Sequence, residues 1–285
     1  LLLQDANTRT VLLGASILCL TSGVIGSFSV LRKRALLGDA LAHAALPGVC
    51  IAYFITGERN ISALLFGAFL SGILGVLTVT FIRSQSRVKE DAAIGLVLSG
   101  FFGLGIALSR IVQNQPGGNR AGLDSYIFGK AASMVTHDVV LISAISLPIL
   151  FLTALLFKEF RLLCFDRDFA ASQGWPVLFL DVLLMALICS VTIVGLPAVG
   201  VVLMAALLII PGASARFWTN RLEYMVIIAG AFGLLSGLLG TALSALLPRF
   251  AAGPLIVLVA AGFFLISLLF APRRGLVAET LRSYR

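Results

Sequence analysis

Charge is scarce in this chain. Only 12% of its 285 residues are Asp, Glu, Lys or Arg, and the mean hydropathy is +1.06. A soluble domain carries about 25% charged residues, so an ordinary soluble globular protein is excluded. Histidine is scarcer still, with two copies, His43 and His137. The four cysteines, Cys19, Cys50, Cys164 and Cys189, stand singly and form no C-x-x-C pair. That distribution argues against a thiolate metal centre or a disulfide framework. No G-x-x-x-x-G-K-[ST] phosphate loop and no H-E-x-x-H motif occurs, so the sequence supplies neither that kind of ATP site nor a zinc protease site. No leader with a charged start and a small-residue cleavage site is visible, so the first apolar run is expected to stay as an anchor.

What is abundant is grease, at 59% hydrophobic residues. Apolar segments fall at about 11–30, 35–57, 61–82, 91–112, 138–157, 177–196, 199–215, 224–246 and 254–271. Most approach the roughly 20 residues a helix needs to cross a bilayer. They are about twice the length of a barrel strand. The expected fold is therefore an all-α polytopic membrane protein, one membrane domain over residues 1–285. Nine spans are expected, or eight if the short "GLPAVG" turn at 195–200 joins two segments into one broken helix. The net charge of +8 fits basic loops rather than a nucleic-acid partner. With Arg32, Lys33 and Arg34 placed inside and the sides alternating, fifteen of the 21 Lys and Arg residues lie inside and six outside. This bias obeys the positive-inside rule with the N-terminus outside, the C-terminus inside and nine crossings. Small residues at three- and four-residue spacing, as in Gly230, Gly233, Gly237 and Gly240 or Ala68, Gly72 and Gly75, suit close helix packing in lipid.

Three ionisable side chains interrupt the apolar segments: Asp39, His43 and Asp181. Each costs about 2.5–3.5 kcal/mol to insert at a helix centre, so such groups face a bundle interior or a pathway. Asp181 follows Pro176 near the inner start of its helix and can reach the interface, which suits a structural or solvated role. Asp39 lies about 7–8 Å in from Arg34 and His43 about 13–14 Å, at 1.5 Å per residue. Their i,i+4 spacing puts both on one helix face. A carboxylate and an imidazole together suit several first-row divalent metals. Pro47 adds to this, because its missing N–H frees the carbonyl of His43 and favours a kink. Two readings of the pair stay open on spacing alone: a hydrogen bond that stabilises the bundle, or half of a metal site. His137, beside Asp138 at the outer end of a helix, reads as a solvated cap residue, with an entry ligand as the alternative.

The inside loop 158–176 is the longest inside connection. "FDRDFAASQG" reads as a short amphipathic helix, with Asp166 as N-cap, Asp168 in the first turn and Gly174 ending it before Pro176. Phe165, Phe169, Ala170 and Ala171 offer an apolar surface. The segment either lies along the membrane surface or docks a cytoplasmic partner.

Four stretches resemble one family: "GSFSVLRKRALLGDALAHAALPGV" (26–49), "VKEDAAIGLVLSGFFGLGIAL" (88–108), "FDRDFAASQGWPV" (165–177) and "VGVVLMAALLIIPGASAR" (200–216). They are similar to the ABC-3 permeases, the membrane subunits of ATP-binding cassette importers of manganese, zinc and iron. The stretch running to "QPGGNRAGLDSYIFGKAASMV" looks most like the manganese-type members. The resemblance covers essentially the whole chain. It implies a multi-pass permease in a prokaryotic plasma membrane (the inner membrane in a Gram-negative cell), without its own ATPase site and without a resident cofactor. Implied partners are cytoplasmic ATP-binding subunits, a second copy or a sister permease, a metal-delivering solute-binding protein and the surrounding lipid, with no nucleic acid. The aspartate and histidine of the family's GDA-x-x-H motif match Asp39 and His43, which places them on the metal path. The coupling helix matches Asp166 to Gly174, with Asp168, Phe169 and Ala170 between. Pro47 and Pro211 are the expected kink or gating points, and the "PGASAR" motif places Gly212 after Pro211 as a source of flexibility. The competing reading is an ion-coupled secondary transporter that uses Asp39 and His43 as a proton or cation relay.

Overall fold

The structure, a computed structural model, describes residues 6–57, 60–114, 134–247, 250–272 and 275–276. The manganese-type stretch at 115–133 lies outside the described residues. Among the described residues there are eleven helices: α1 (Ala6–Leu31), α2 (Leu37–Thr56), α3 (Ile61–Gln85), α4 (Glu90–Gln113), α5 (Thr136–Leu155), α6 (Phe157–Phe165), α7 (Arg167–Ser172), α8 (Val177–Val199), α9 (Val201–Trp218), α10 (Leu222–Leu246) and α11 (Ala252–Phe270). No strand occurs among the described residues. Every apolar segment read from the sequence is helical. Eight of the helices are long and apolar enough to cross a membrane. The segment after "GLPAVG" forms its own helix, α9, whose apolar part Leu203–Trp218 is shorter than the other eight. The break between α8 and α9 sits at Gly200, whose φ of +84° only glycine adopts without strain.

The chain divides into two compact units, each built from separated stretches. The first unit comprises residues 1–35, 130–175 and 206–285. In it α1 packs along α10, α10 along α11, and α1 against α5. The α1–α10 contact is a small-residue seam, as the glycine spacing predicts. Gly233 meets the backbone carbonyl of Cys19, and a Cβ on Gly237 would sit 3.0 Å from Ser16 Cα. Lipid provides no hydrophobic drive between helices, so close backbone approach supplies the packing energy. On α1, Ser22 Oγ satisfies itself locally by donating to the Leu18 carbonyl at 2.8 Å. Helix α1 closes in a turn where Lys33 N–H reaches the Val30 carbonyl and Arg34 N–H the Ser29 carbonyl, at 3.1 and 2.9 Å. That paired pattern requires a left-handed residue between, and Lys33 fills the place at φ +57°.

The second unit comprises residues 36–129 and 176–205. Helix α2 is its centre, flanked by α3, α4 and α8. Asparagine at position 60 starts α3 by accepting from Ser62 N–H at 3.1 Å. Gly48 on α2 and Gly67 on α3 touch backbone to backbone, and a Cβ on Gly67 would lie 2.5 Å from the Gly48 carbonyl oxygen. One turn along, Ser71 Oγ donates to the Ala44 carbonyl at 2.6 Å, tying the same two helices. These contacts hold fixed the helix that carries both Asp39 and His43.

Candidate functional site

The structure brings Asp39 and His43 together as the spacing predicts. Helix α2 begins at Leu37 and places Asp39 in its first turn, where a carboxylate complements the helix dipole. One turn further, His43 Nε2 lies 3.6 Å from Asp39 Oδ1. This is within ion-pair range but too long for a hydrogen bond, so the bundle-stabilising hydrogen bond is not formed. The two side chains keep 34% and 22% of their surface open. The other imidazole nitrogen, Nδ1, is buried and has no hydrogen-bond partner. A buried polar atom left unpaired is uncommon in a folded protein. The ring of Phe102, from α4, covers the imidazole edge-on, 4.6 Å between centroids at 71°.

Among the described residues no group of three or more His, Cys, Asp or Glu side chains gathers to hold a metal. The pair therefore offers two side-chain donors from one helix. Such a site can pass a divalent cation but cannot by itself complete a coordination shell. Pro47 lies inside α2, which continues as one helix to Thr56. It is buried, and α4 comes close enough that a Cβ on Gly105 would sit 3.2 Å from Pro47 Cδ.

Asp181 is placed inside the protein rather than at a solvated interface. It is 1% exposed, and Arg83 Nη1 donates to its Oδ2 at 3.1 Å. Arg83 Nε also lies 3.7 Å from Glu90 Oε2. One guanidinium thus joins the end of α3 to the starts of α4 and α8. The role is structural, and sequence reasoning missed the partner. The only available signal was the rule that a carboxylate inside a span needs a cation. Phe102 was missed too, since nothing in "GFFGLG" marks which phenylalanine meets the histidine.

His137 is exposed in the first turn of α5. The capping carboxylate there belongs to Asp138, whose Oδ2 accepts from Val135 N–H at 3.0 Å. Pro211 is buried inside α9, and its neighbour Gly212 is a contact point. A Cβ at Gly212 would lie 3.1 Å from Ser27 Cα on α1. Its small size lets α9 approach α1.

The loop helix forms as α7. Asp166 caps it by accepting from Phe169 N–H at 2.9 Å. Gly174 ends it with φ +81°, and Trp175 N–H returns to the Ala170 carbonyl at 3.1 Å. Phe165, Phe169 and Trp175 are 57%, 49% and 42% exposed, while Ala170 is 1% exposed. Ala170 therefore faces inward and anchors the helix. The free apolar face belongs to the aromatics, with Asp166, Asp168 and Gly174 exposed around it.

Comparison with known proteins agrees with this architecture. The ABC 3 transport family matches residues 4–271. The manganese transport system membrane protein MntC of Bacillus subtilis is 50% identical over 283 residues, covering 99% of this chain and 65% of that protein. This chain thus spans just under two thirds of that relative's length. The zinc transport system membrane protein TroC of Treponema pallidum is 42% identical, covering 100% of this chain and 95% of the relative. Among solved structures, PsaBC from Streptococcus pneumoniae in complex with Fab superposes with a TM-score of 0.84 at 32% identity, over 100% of this chain and 97% of that one. A helical bundle with eight crossing-length helices, the aspartate–histidine pair on α2 and a family match over nearly its whole length make this chain a multi-pass membrane protein of the ABC 3 transport family.

Proposed function

We propose that the chain is the permease subunit of an ATP-driven importer of divalent transition metal ions, with manganese as the first candidate and zinc or iron as the others. The observation that carries this reading is the Asp39–His43 pair: two donors on one face of α2, partly open, with His43 Nε2 turned toward Asp39 Oδ1. Relatives named for manganese and zinc transport support the cargo class. A carboxylate and an imidazole bind these ions, and two donors bind them weakly enough to release them.

With the shorter α9 as a ninth crossing, the N-terminus lies outside and the C-terminus inside, in the plasma membrane of a prokaryote. A solute-binding protein hands the ion to the outer face. A second permease copy or a sister permease completes the translocation unit. Cytoplasmic ATP-binding subunits hydrolyse ATP and grip the exposed Phe169 and Trp175 at α7, so that Asp166 to Gly174 couple their motion to the bundle. Pro47 and Pro211 are where the helices give during the change of access.

The test is metal accumulation in cells carrying Asp39→Ala or His43→Ala. Loss of an outer partner of a metal ligand already costs about tenfold or more, so uptake in each variant should fall by at least that. Unchanged uptake in both would overturn the metal-path role. Full transport by this chain without an ATPase subunit would favour the secondary-transporter alternative instead.

A further inference from the structure

We infer that the groove between α6 and the start of α10 is a binding site for the phosphate headgroup of an anionic glycerophospholipid. The groove lies wholly within the first unit and has a volume of about 1010 Å³. Lys158, Arg161 and Phe165 line one side, with Arg221, Glu223 and Tyr224 on the other. Arg161 pairs with Glu223, which uses one cation and the groove's carboxylate. No carboxylate among the described residues pairs with Lys158 or Arg221. Two exposed cations therefore remain for an anion, and the N-terminal end of α10 adds its dipole in the same direction.

Position decides between a lipid and a free anion. Span α5 ends at Leu155 and span α10 begins at Leu222, so the groove sits where apolar helix gives way to polar loop. Basic pockets at this level of a membrane protein hold lipid headgroups. From the groove, an apolar stripe runs along one face of α10 through Tyr224, Ile227 and Leu235, exposed by 55%, 67% and 40%. A phosphate in the groove with acyl chains on the stripe uses both features, whereas inorganic phosphate uses only the first. The inference rests on the membrane setting and not on the cargo.

The test is native mass spectrometry of the full chain in detergent with dioleoyl phosphatidylglycerol, dioleoyl phosphatidylcholine or inorganic phosphate. Phosphatidylglycerol should be retained in preference to phosphatidylcholine. Each basic residue near an anionic headgroup contributes about fivefold, so Lys158→Gln with Arg221→Gln should weaken phosphatidylglycerol binding by about thirtyfold. Lys158→Arg with Arg221→Lys should keep it, which separates charge from misfolding. Arg87→Gln, an exposed cation in the second unit, should change nothing. Equal retention of the two lipids, an unaffected double glutamine variant, or displacement of phosphatidylglycerol by millimolar inorganic phosphate would each overturn the site. So would loss of the lipid when an ATP-binding subunit is added, since the groove would then be a protein interface.

Discussion

Replacing Gly48 with alanine tests whether the α2–α3 backbone contact fixes the helix that carries Asp39 and His43. The new Cβ would collide with the Gly67 carbonyl and lie 2.6 Å from Ser71 Cβ. Carbon atoms settle at about 3.5–4.0 Å, so the two helices must part by about 1 Å. Overpacking of this kind costs about 1–3 kcal/mol. The Ser71–Ala44 hydrogen bond, 2.6 Å before the change, stretches out of range, at about 0.6 kcal/mol for an interhelical bond in a membrane. Alanine returns at most about 1 kcal/mol of helix propensity. The net loss is about 1–3 kcal/mol. It is read as a fall in the apparent unfolding midpoint in detergent, together with reduced metal accumulation. Gly95 on α4 serves as the control, because nothing lies within 4 Å of the Cβ it would gain. Gly95→Ala should be neutral or slightly stabilising. A Gly48→Ala protein as stable and active as the parent, or a Gly95→Ala protein equally damaged, would refute the reasoning.

Three further outcomes follow from the same geometry. Arg83→Gln leaves Asp181, 1% exposed, without its guanidinium, and losing such a hydrogen bond to a charged group costs about 1.5–3 kcal/mol. Asp181→Asn should cost less, since Arg83 is 30% exposed and keeps Glu90; thermal unfolding of the two variants checks the order. Lys33→Gly relieves a left-handed lysine at φ +57°, worth about 1–2 kcal/mol, and should raise the unfolding midpoint. Asp166→Ala removes the cap of α7, costing about 1 kcal/mol locally. If α7 couples the bundle to the ATPase, the metal-dependent part of ATP hydrolysis in the assembled complex should fall while basal hydrolysis by the isolated ATPase stays unchanged.

Features set by short-range geometry were legible in the sequence. The helices follow from apolar run length, and Asp39 and His43 share a face because four residues make about one helical turn. The cap at Asp166 and the stop at Gly174 are likewise local. What was not legible depends on how helices rotate against one another. Ala170 looked like part of a docking surface, yet packing turns it inward and leaves Phe169 outside. Nor did the sequence show that α1 comes close against Gly212.

The sequence by itself determined the class of protein, the location of its apolar helices and the one turn of helix on which a carboxylate meets an imidazole. Composition and periodicity suffice for these, since a bilayer admits only helices and closed barrels and these apolar runs are about twice the length of a barrel strand. Only the tertiary structure decided that Phe102 covers His43, that Nδ1 is left uncommitted, and that Arg83 neutralises Asp181 from 98 residues away. Lipid wets every apolar face of a helix equally well. The choice of neighbour therefore falls to small residues and buried polar groups, which declare their partners only when the helices are packed.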